Sequence, residues 1–245
     1  MNHKIIRFEV GPAGAHRAAE RGDLCIIVDV LRASTSIIAA FMGGIKSIRL
    51  GDNASFKVNP NEITAGEQNC VKIPHFTYGN SPEDLLHTTH KGRELHFFST
   101  NGIPSIKACI AHKVTTLIGA MINADAVGQL AKDIALNLNL NIAIILAGYK
   151  GTLEPDDLLA GSLIYYKQLR SLQVQGEHAP VSSDNLLETL LTSPAGIRLT
   201  KLNLEKDIYF CAQEDITKIV PIYDEKIQQL IPFVYASDSW EKLLC

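Results

Sequence analysis

Residues 25–38 read CIIVDVLRASTSII, and this stretch decides the fold class. The apolar run 26–28 is typical of a buried strand, and Asp29 follows it directly. Arg32 and the hydroxyl residues 34–36 then lead into an apolar stretch with helical character. Ligands of open α/β sheets bind beyond the carboxyl ends of strands, and helix N-termini attract anions. This turn therefore predicts a metal-binding acid next to an anion site.

Apolar runs of two kinds alternate along the chain. Strands are predicted at 5–10, 24–30, 47–50, 94–99, 113–118 and 141–146, with late strands at 206–212 and 218–223. Helices are predicted at 34–42, 102–111, 124–136 and 155–172, a further helical stretch at 182–201, and a surface loop at 173–180. Strands that alternate with helices favour an α/β sheet with parallel pairs.

The composition is that of an ordinary globular protein. The 245 residues are 46% hydrophobic and 20% charged, with a formal net charge of -3. This balance does not indicate a nucleic-acid partner. No apolar stretch approaches the ~20 residues of a membrane span, and the N-terminus lacks a signal-peptide pattern. We expect a cytoplasmic protein that binds neither nucleic acid nor membrane.

The five cysteines show neither zinc-ligand spacing nor the even count of a disulfide framework. Cys25, Cys109 and Cys211 lie in apolar surroundings and are interpreted as core residues, whereas Cys70 lies in a polar loop near Glu67. Nucleotide-binding glycine loops and a G-x-S-x-G elbow are absent from the sequence.

Polar residues follow most of the predicted strands. They are Asp29, Glu67 with Gln68 and Asn69, Asn80 and Ser81, Thr100 with Asn101 and Gly102, Asn123, and the acids of 154–157. Parallel strands would bring these turns to one edge of the sheet. The alternative interpretation is structural, because Ser, Asn, Asp and Gly are also the usual caps and turn formers. Arg32, likewise, is either an anion ligand or only the counter-ion of Asp29.

Six strings in order resemble the 2-phosphosulfolactate phosphatase family: VDVLRASTSI, AGE, YGNSPEDLL, FSTNG, INADAV and ILAGYKG followed by EPDDLLAG. The resemblance implies a three-layer α/β/α fold with a mixed, largely parallel sheet and two interleaved Rossmann-like halves. Residues 1–245 would form a single phosphatase domain or two intertwined subdomains. The implied activity is Mg²⁺-dependent hydrolysis of 2-phosphosulfolactate to sulfolactate and phosphate, a step of coenzyme M biosynthesis.

The resemblance also assigns roles to residues of this chain. The implied catalytic residues are Asp29, Arg32, Glu67 and Asp156. The implied substrate ligands are Ser34, Thr35, Asn80, Ser81, Thr100, Asn101, Gly102 and Asn123. The implied Mg²⁺ ligands are Asp29, Glu67, Glu154 and Asp156, with Asp157 as an alternative because the register of these acids is open. Mg²⁺ prefers oxygen ligands of this kind.

One departure from the family pattern bears on the substrate. Gly66-Glu67 is followed by Gln68, where the family usually has an arginine, and a lost arginine removes a bidentate anion clamp. Two other functions therefore stay open. One is a related hydrolase of another small anionic 2-phospho acid, and the other is a non-catalytic protein that binds small anions. The expected partner is a small-molecule phosphoester, and a homodimer is left open.

Overall fold

The computed structural model describes residues 4–52 and 61–235. Its strands are β1 (Ile5–Val10), β2 (Leu24–Val28), β3 (Ser47–Leu50), β4 (Ile63–Gln68), β5 (Val71–Lys72), β6 (Glu94–Phe98), β7 (Thr116–Gly119), β8 (Ile142–Leu146), β9 (Gln173–Gln175), β10 (Ile219–Asp224) and β11 (Gln229–Val234). They form one sheet in the order β5-β4-β6-β3-β11-β10-β7-β2-β8-β1-β9.

The sheet consists of two parallel blocks joined by a hairpin. β9, β1, β8, β2 and β7 form the first block, and β3, β6 and β4 form the second, with parallel pairing throughout each block. The β10–β11 hairpin is antiparallel to β7 on one side and to β3 on the other. The chain enters the first block, builds the second and then returns to the first. This arrangement confirms the predicted mixed, largely parallel sheet.

The two blocks run in opposite strand directions, because three antiparallel pairings separate β7 from β3. The polar turns were expected to share one edge of the sheet, and this part of the prediction is wrong between the blocks. The ends of β2 and β6 nevertheless come together, since Gly102 at the start of α4 lies against Asp29.

Helices cover both faces of the sheet. They are α1 (Gly11–Glu20), α2 (Ala33–Met42), α3 (Pro82–Leu86), α4 (Gly102–Ile110), α5 (Ala124–Asn137), α6 (Pro155–Ile164), α7 (Leu186–Thr192), α8 (Pro194–Thr200) and α9 (Glu205–Cys211). Alternate residues of β2 point to opposite faces. Cys25 and Ile27 belong to the core beneath α1 to α4, whereas Ile26 and Val28 belong to the core beneath α5 to α9. The predicted three-layer α/β/α architecture is confirmed.

The predicted late strand at 206–212 is wrong, because these residues form most of helix α9. Ile208, Tyr209 and Phe210 favour a strand by local propensity. The buried residues, however, are Asp207, Ile208 and Cys211, which are spaced as one face of a helix. Tertiary packing of that face overrides the propensity.

Three other boundaries differ from the prediction. The predicted loop at 173–180 begins with the edge strand β9, which pairs with β1. The helical stretch at 182–201 is interrupted at Ser193, which caps α8 and precedes Pro194. Helix α6 ends at Ile164 and continues as a π-helical turn, Tyr165–Leu169. In addition, α1 and β11 were not predicted.

Candidate active site

Asp29 lies where two helices begin. It follows β2, and its Oδ1 accepts a hydrogen bond from the Ala33 amide in the first turn of α2 at 3.2 Å. The Gly102 amide at the start of α4 also donates to this carboxylate. A Cβ atom at residue 102 would lie 2.8 Å from Asp29 Oδ2, so only glycine allows this approach. The predicted acid and the predicted Thr-Asn-Gly turn thus come together from the two blocks of the sheet.

Glu67 extends from the end of β4 toward the same place. Its Oε1 accepts from the Thr100 amide at 2.8 Å, and its Oε2 accepts from the Cys70 amide at 2.6 Å. Neighbouring residues of a strand alternate between faces. Glu67 is accordingly buried, whereas Gln68 is exposed.

A cavity that is open to solvent lies between these residues. Its lining residues are Asp29, Leu31, Arg32, Glu67, Asn69, Cys70, Asn80, Thr100, Asn101, Tyr149 and Arg198. The structure thus brings together six of the residues proposed from the sequence. Gln68 is not among the lining residues, so nothing at position 68 replaces the arginine of the family pattern within the cavity.

Arg32 lines the cavity, and two hydrogen bonds hold its guanidinium group in place. Its Nη1 donates to Asp207 Oδ2 at 2.7 Å, and its Nη2 donates to the Cys70 carbonyl at 2.9 Å. Asp207 also accepts from Ser81 Oγ at 2.6 Å. The ion-pair partner of Arg32 is therefore Asp207 of α9, not Asp29. Asp207 was not predicted as a site residue, because residues 206–212 were interpreted as a strand.

Several predicted substrate ligands have other partners. The hydroxyl of Ser34 donates to the Ile27 carbonyl and accepts from the Asp29 amide, and that of Thr35 donates to the Val30 carbonyl. Ser81 Oγ caps α3 by accepting from the Asp84 amide. The buried amide of Asn123 bonds main-chain groups at residues 118, 120 and 219. None of these four side chains lines the cavity, and they hold the turns in place.

The acids at the start of α6 have three different environments. Asp157 accepts from the Val30 and Gly148 amides at 2.9 and 2.8 Å, so it ties together the turns after β2 and β8. Glu154 pairs with Arg198 at 3.1 Å. Asp156 is buried, and its Oδ1 has no hydrogen-bond partner among the described residues. Asp156 is therefore the acid with unused ligand capacity, although it does not line the cavity.

Burial and like charge act together on these carboxyl groups. Burial raises the pKa of Asp29 to about 6, and the charge of Glu67 acts in the same direction. Burial also raises the pKa of Asp156 to about 7, with the charges of Glu154 and Asp29 adding to it. The pKa of Asp157 is raised well above its usual value by burial, then by Asp156. A cation brought among these acids would relieve both effects.

Cys70 is the cysteine that lines the cavity, and burial raises the pKa of its thiol. Cys25, Cys109 and Cys211 are buried in the core, as predicted. Cys245 lies outside the described residues.

Three buried side-chain oxygen atoms have unused capacity. Asn80 Oδ1 and Thr100 Oγ1 belong to residues that line the cavity, and Asp156 Oδ1 belongs to a residue that does not; each lacks a hydrogen-bond partner in the described part of the chain. Within residues 4–52 and 61–235, no group of three His, Cys, Asp or Glu side chains is arranged to enclose a metal ion. Mg²⁺ usually takes only one or two carboxylates and keeps several waters. Asp29 and Asp156, whose charges influence each other, fit that mode of binding.

The chain matches a known family over most of its length. The profile described as 2-phosphosulpholactate phosphatase matches residues 12–226. The chain belongs to the 2-phosphosulfolactate phosphatase family. The resemblance seen in the sequence motifs is thereby confirmed, and with it the prediction of an enzyme of the phosphoric monoester hydrolase class.

Curated relatives in the family span nearly the same length. A probable 2-phosphosulfolactate phosphatase of Thermus thermophilus is 30% identical, over 93% of this chain and 98% of the relative. A protein of the same description from Symbiobacterium thermophilum is 30% identical, over 83% of this chain and 92% of its own. A third, from Clostridium kluyveri, is 27% identical, over 86% and 91%. Among the described residues, no helix has the length and apolarity needed to cross a bilayer.

Proposed function

We propose that this protein is a Mg²⁺-dependent phosphatase that hydrolyses 2-phosphosulfolactate to sulfolactate and phosphate. One observation carries the proposal. A cavity is lined by the carboxylates of Asp29 and Glu67 and by the guanidinium groups of Arg32 and Arg198, and the N-termini of α2 and α4 meet at its Asp29 side. Family membership supplies the reaction.

The phosphoryl group would lie on the side of the cavity formed by the turn before α4. Thr100 Oγ1 is buried there without a hydrogen-bond partner among the described residues, and its hydroxyl can donate to a phosphoryl oxygen. Asn80 also lines the cavity. Arg32 would offset the charge that develops on the phosphoryl oxygens in the transition state. Its contacts with Asp207 and Cys70 hold it in one orientation, so little reorganisation is needed during the reaction.

Asp29 and Asp156 would hold Mg²⁺, with Glu67 near enough to raise the pKa of Asp29. Bound Mg²⁺ supplies Lewis-acid polarisation of a phosphoryl oxygen. Glu67, fixed by two main-chain amides, would orient the loop that carries Cys70 and the turn that carries Thr100. Glu154 would hold Arg198 at the cavity.

A second substrate is a related 2-phospho acid without the sulfonate. The observation that favours it is the exposed Gln68, since the arginine of the family pattern is missing. The third hypothesis is a non-catalytic protein that binds small anions. It predicts that a bound phosphoester is not hydrolysed.

Phosphate release decides among these functions. The purified protein would be assayed with 2-phosphosulfolactate and with 2-phospholactate, each in the presence of Mg²⁺ and of excess EDTA. We expect rapid, EDTA-sensitive release from 2-phosphosulfolactate. Faster release from 2-phospholactate would support the second substrate, and binding without release would refute the proposal.

A further inference from the structure

We infer that Arg198 binds the second anionic group of the substrate, the carboxylate or sulfonate, and thereby selects phosphoesters that carry one. The inference rests on the proposed function and names a specificity-determining residue for it. Arg198 lies on α8, far in sequence from the motifs that carry the family resemblance.

Arg198 is placed and oriented at the cavity wall. Its guanidinium carbon lies 4.4 Å from the centre of the Tyr149 ring, and its Nη2 donates to Glu154 Oε2 at 3.1 Å. A planar guanidinium that rests on an aromatic face presents its edge in a fixed direction. Tyr149 and Glu154 are therefore positioning residues for Arg198.

Arg198 also has hydrogen-bonding capacity to spare. A guanidinium has five N–H donors. Its Nε is buried and has no acceptor among the described residues. The side chain is 34% exposed, whereas that of Arg32 is 4% exposed and held by Asp207 and Cys70. Arg198 is thus less tightly held than Arg32 and keeps N–H donors for a second anionic group.

The charged groups that line the cavity fit a substrate with two anionic groups. The cavity is open to solvent, so a substrate can extend from the phosphoryl side toward Arg198. Arg32 and Arg198 both line the cavity, so a phosphoester with a second anionic group can place one group at each arginine. A bidentate guanidinium–carboxylate or guanidinium–sulfonate contact would then fix the orientation of the phosphoester.

The test compares two substrates in three variants. Arg198→Gln removes the charge, Arg198→Lys keeps the charge without the planar fork, and Arg170→Gln removes an exposed arginine that does not line the cavity. The substrates are 2-phosphosulfolactate and 4-nitrophenyl phosphate, which lacks a carboxylate and a sulfonate.

We expect Arg198→Gln to lower kcat/KM for 2-phosphosulfolactate about 10- to 100-fold, as for loss of a charged hydrogen bond. The value for 4-nitrophenyl phosphate should stay within about twofold of the unchanged protein. Arg198→Lys should give an intermediate loss, and Arg170→Gln should change neither substrate. Equal losses on both substrates, or none, would overturn the inference. If Arg198→Gln does not fold by thermal melting, Arg198→Lys decides by the same criterion.

A binding measurement separates this inference from the proposed function. Calorimetric titration with sulfolactate, which carries no phosphate, should show an affinity that Arg198→Gln weakens about 10- to 100-fold. If the unchanged protein binds sulfolactate in this Arg198-dependent way but releases no phosphate, the proposed function fails and the inference stands. Sulfolactate affinity that is undetectable, or equal in both proteins, would overturn the inference.

Discussion

The carboxylate of Asp29 lies buried between two main-chain N–H donors, and its pKa is nevertheless raised to about 6. Burial is the largest influence on this pKa and outweighs the main-chain hydrogen bonds, and the negative charge of Glu67 adds to its effect. Such a conflict between neighbouring groups is typical of functional sites. At the scale of single residues, the site therefore holds acidic groups whose ionisation lowers the stability of the folded protein when metal and substrate are absent.

Asp29→Asn tests whether this charge is needed. We expect phosphate release to fall roughly 100-fold or more, since the amide keeps the shape but not the charge. The free energy of unfolding should change by no more than about 1.5 kcal/mol, because relief of desolvation offsets a weakened hydrogen bond. Phosphate-release assays and urea unfolding measure the two effects. Activity near that of the unchanged protein at limiting Mg²⁺ would show that Asp29 is not a metal ligand.

Arg32→Lys tests whether both hydrogen bonds of the Arg32 guanidinium group are needed. An ammonium group can reach Asp207 Oδ2 or the Cys70 carbonyl, but it cannot reproduce both contacts of the guanidinium. We expect kcat/KM to fall by the equivalent of about 2–4 kcal/mol. Asp207→Asn, which keeps the arginine, is the matched control. A variant with lower stability but unchanged kcat/KM would make Arg32 only a structural partner of Asp207.

At the scale of elements, the site is built where the first turns of α2 and α4 meet. Gly102 allows this meeting, since a Cβ there would also lie 3.0 Å from Ala33 Cβ. The contact joins the first turn after β2 to the first turn after β6. A single methyl group at this point would therefore move two parts of the site.

Gly102→Ala should lower kcat/KM at least about tenfold, because the added Cβ displaces the Asp29 carboxylate. Thermal melting should still show a cooperative transition, since the residue lies in a helix where alanine is favoured. Gly79→Ala is the control, because its Cβ would meet Lys72 Cβ at an ordinary 3.4 Å. Equal effects of the two substitutions would argue against a special role for residue 102.

The elements also show what the sequence could and could not reveal. The strand ends at Asp29, Glu67 and Thr100 were predictable. Asp29 follows an apolar run directly, and Glu67 and Thr100 lie in polar turns close after strand-like runs. Arg198 and Asp207 were not predicted, because no local motif marks them and their partners lie 44 and 175 residues away. The Ser193-Pro194 pair is the signal that could have located the start of α8. The polar edge strand β9 has no apolar alternation to reveal it.

At the scale of the whole molecule, the site joins two blocks of sheet that the β10–β11 hairpin connects. Each block supplies part of the cavity, with Asp29 and Tyr149 from the first and Glu67 and Thr100 from the second. The protonation of the acids at this site influences the free energy of unfolding of the whole protein.

The metal-free protein should become less stable as the pH rises from about 4 to 7. Asp29 and Asp156 have raised pKa values in the folded state, about 6 and 7, so the folded protein binds more protons than the unfolded chain in this range. Each group lowers the free energy of unfolding by up to about 1.4 kcal/mol per pH unit. Denaturant unfolding in EDTA at several pH values measures the slope. Asp156→Asn should make the slope shallower, and an unchanged slope would contradict the assignment.

The pairing of Arg32 with Asp207 has a consequence for biosynthesis. A ribosome that has made the first 170 residues has supplied Asp29, Glu67, Glu154 and Asp156, but neither Arg198 nor Asp207. At about 5–20 residues per second, the 140 residues from Glu67 to Asp207 take roughly 7–28 s to synthesise. Until Asp207 is made, Arg32 has no carboxylate partner at this position, and until Arg198 is made, Glu154 lacks its own partner. The pocket is therefore completed only after residue 207 has been synthesised.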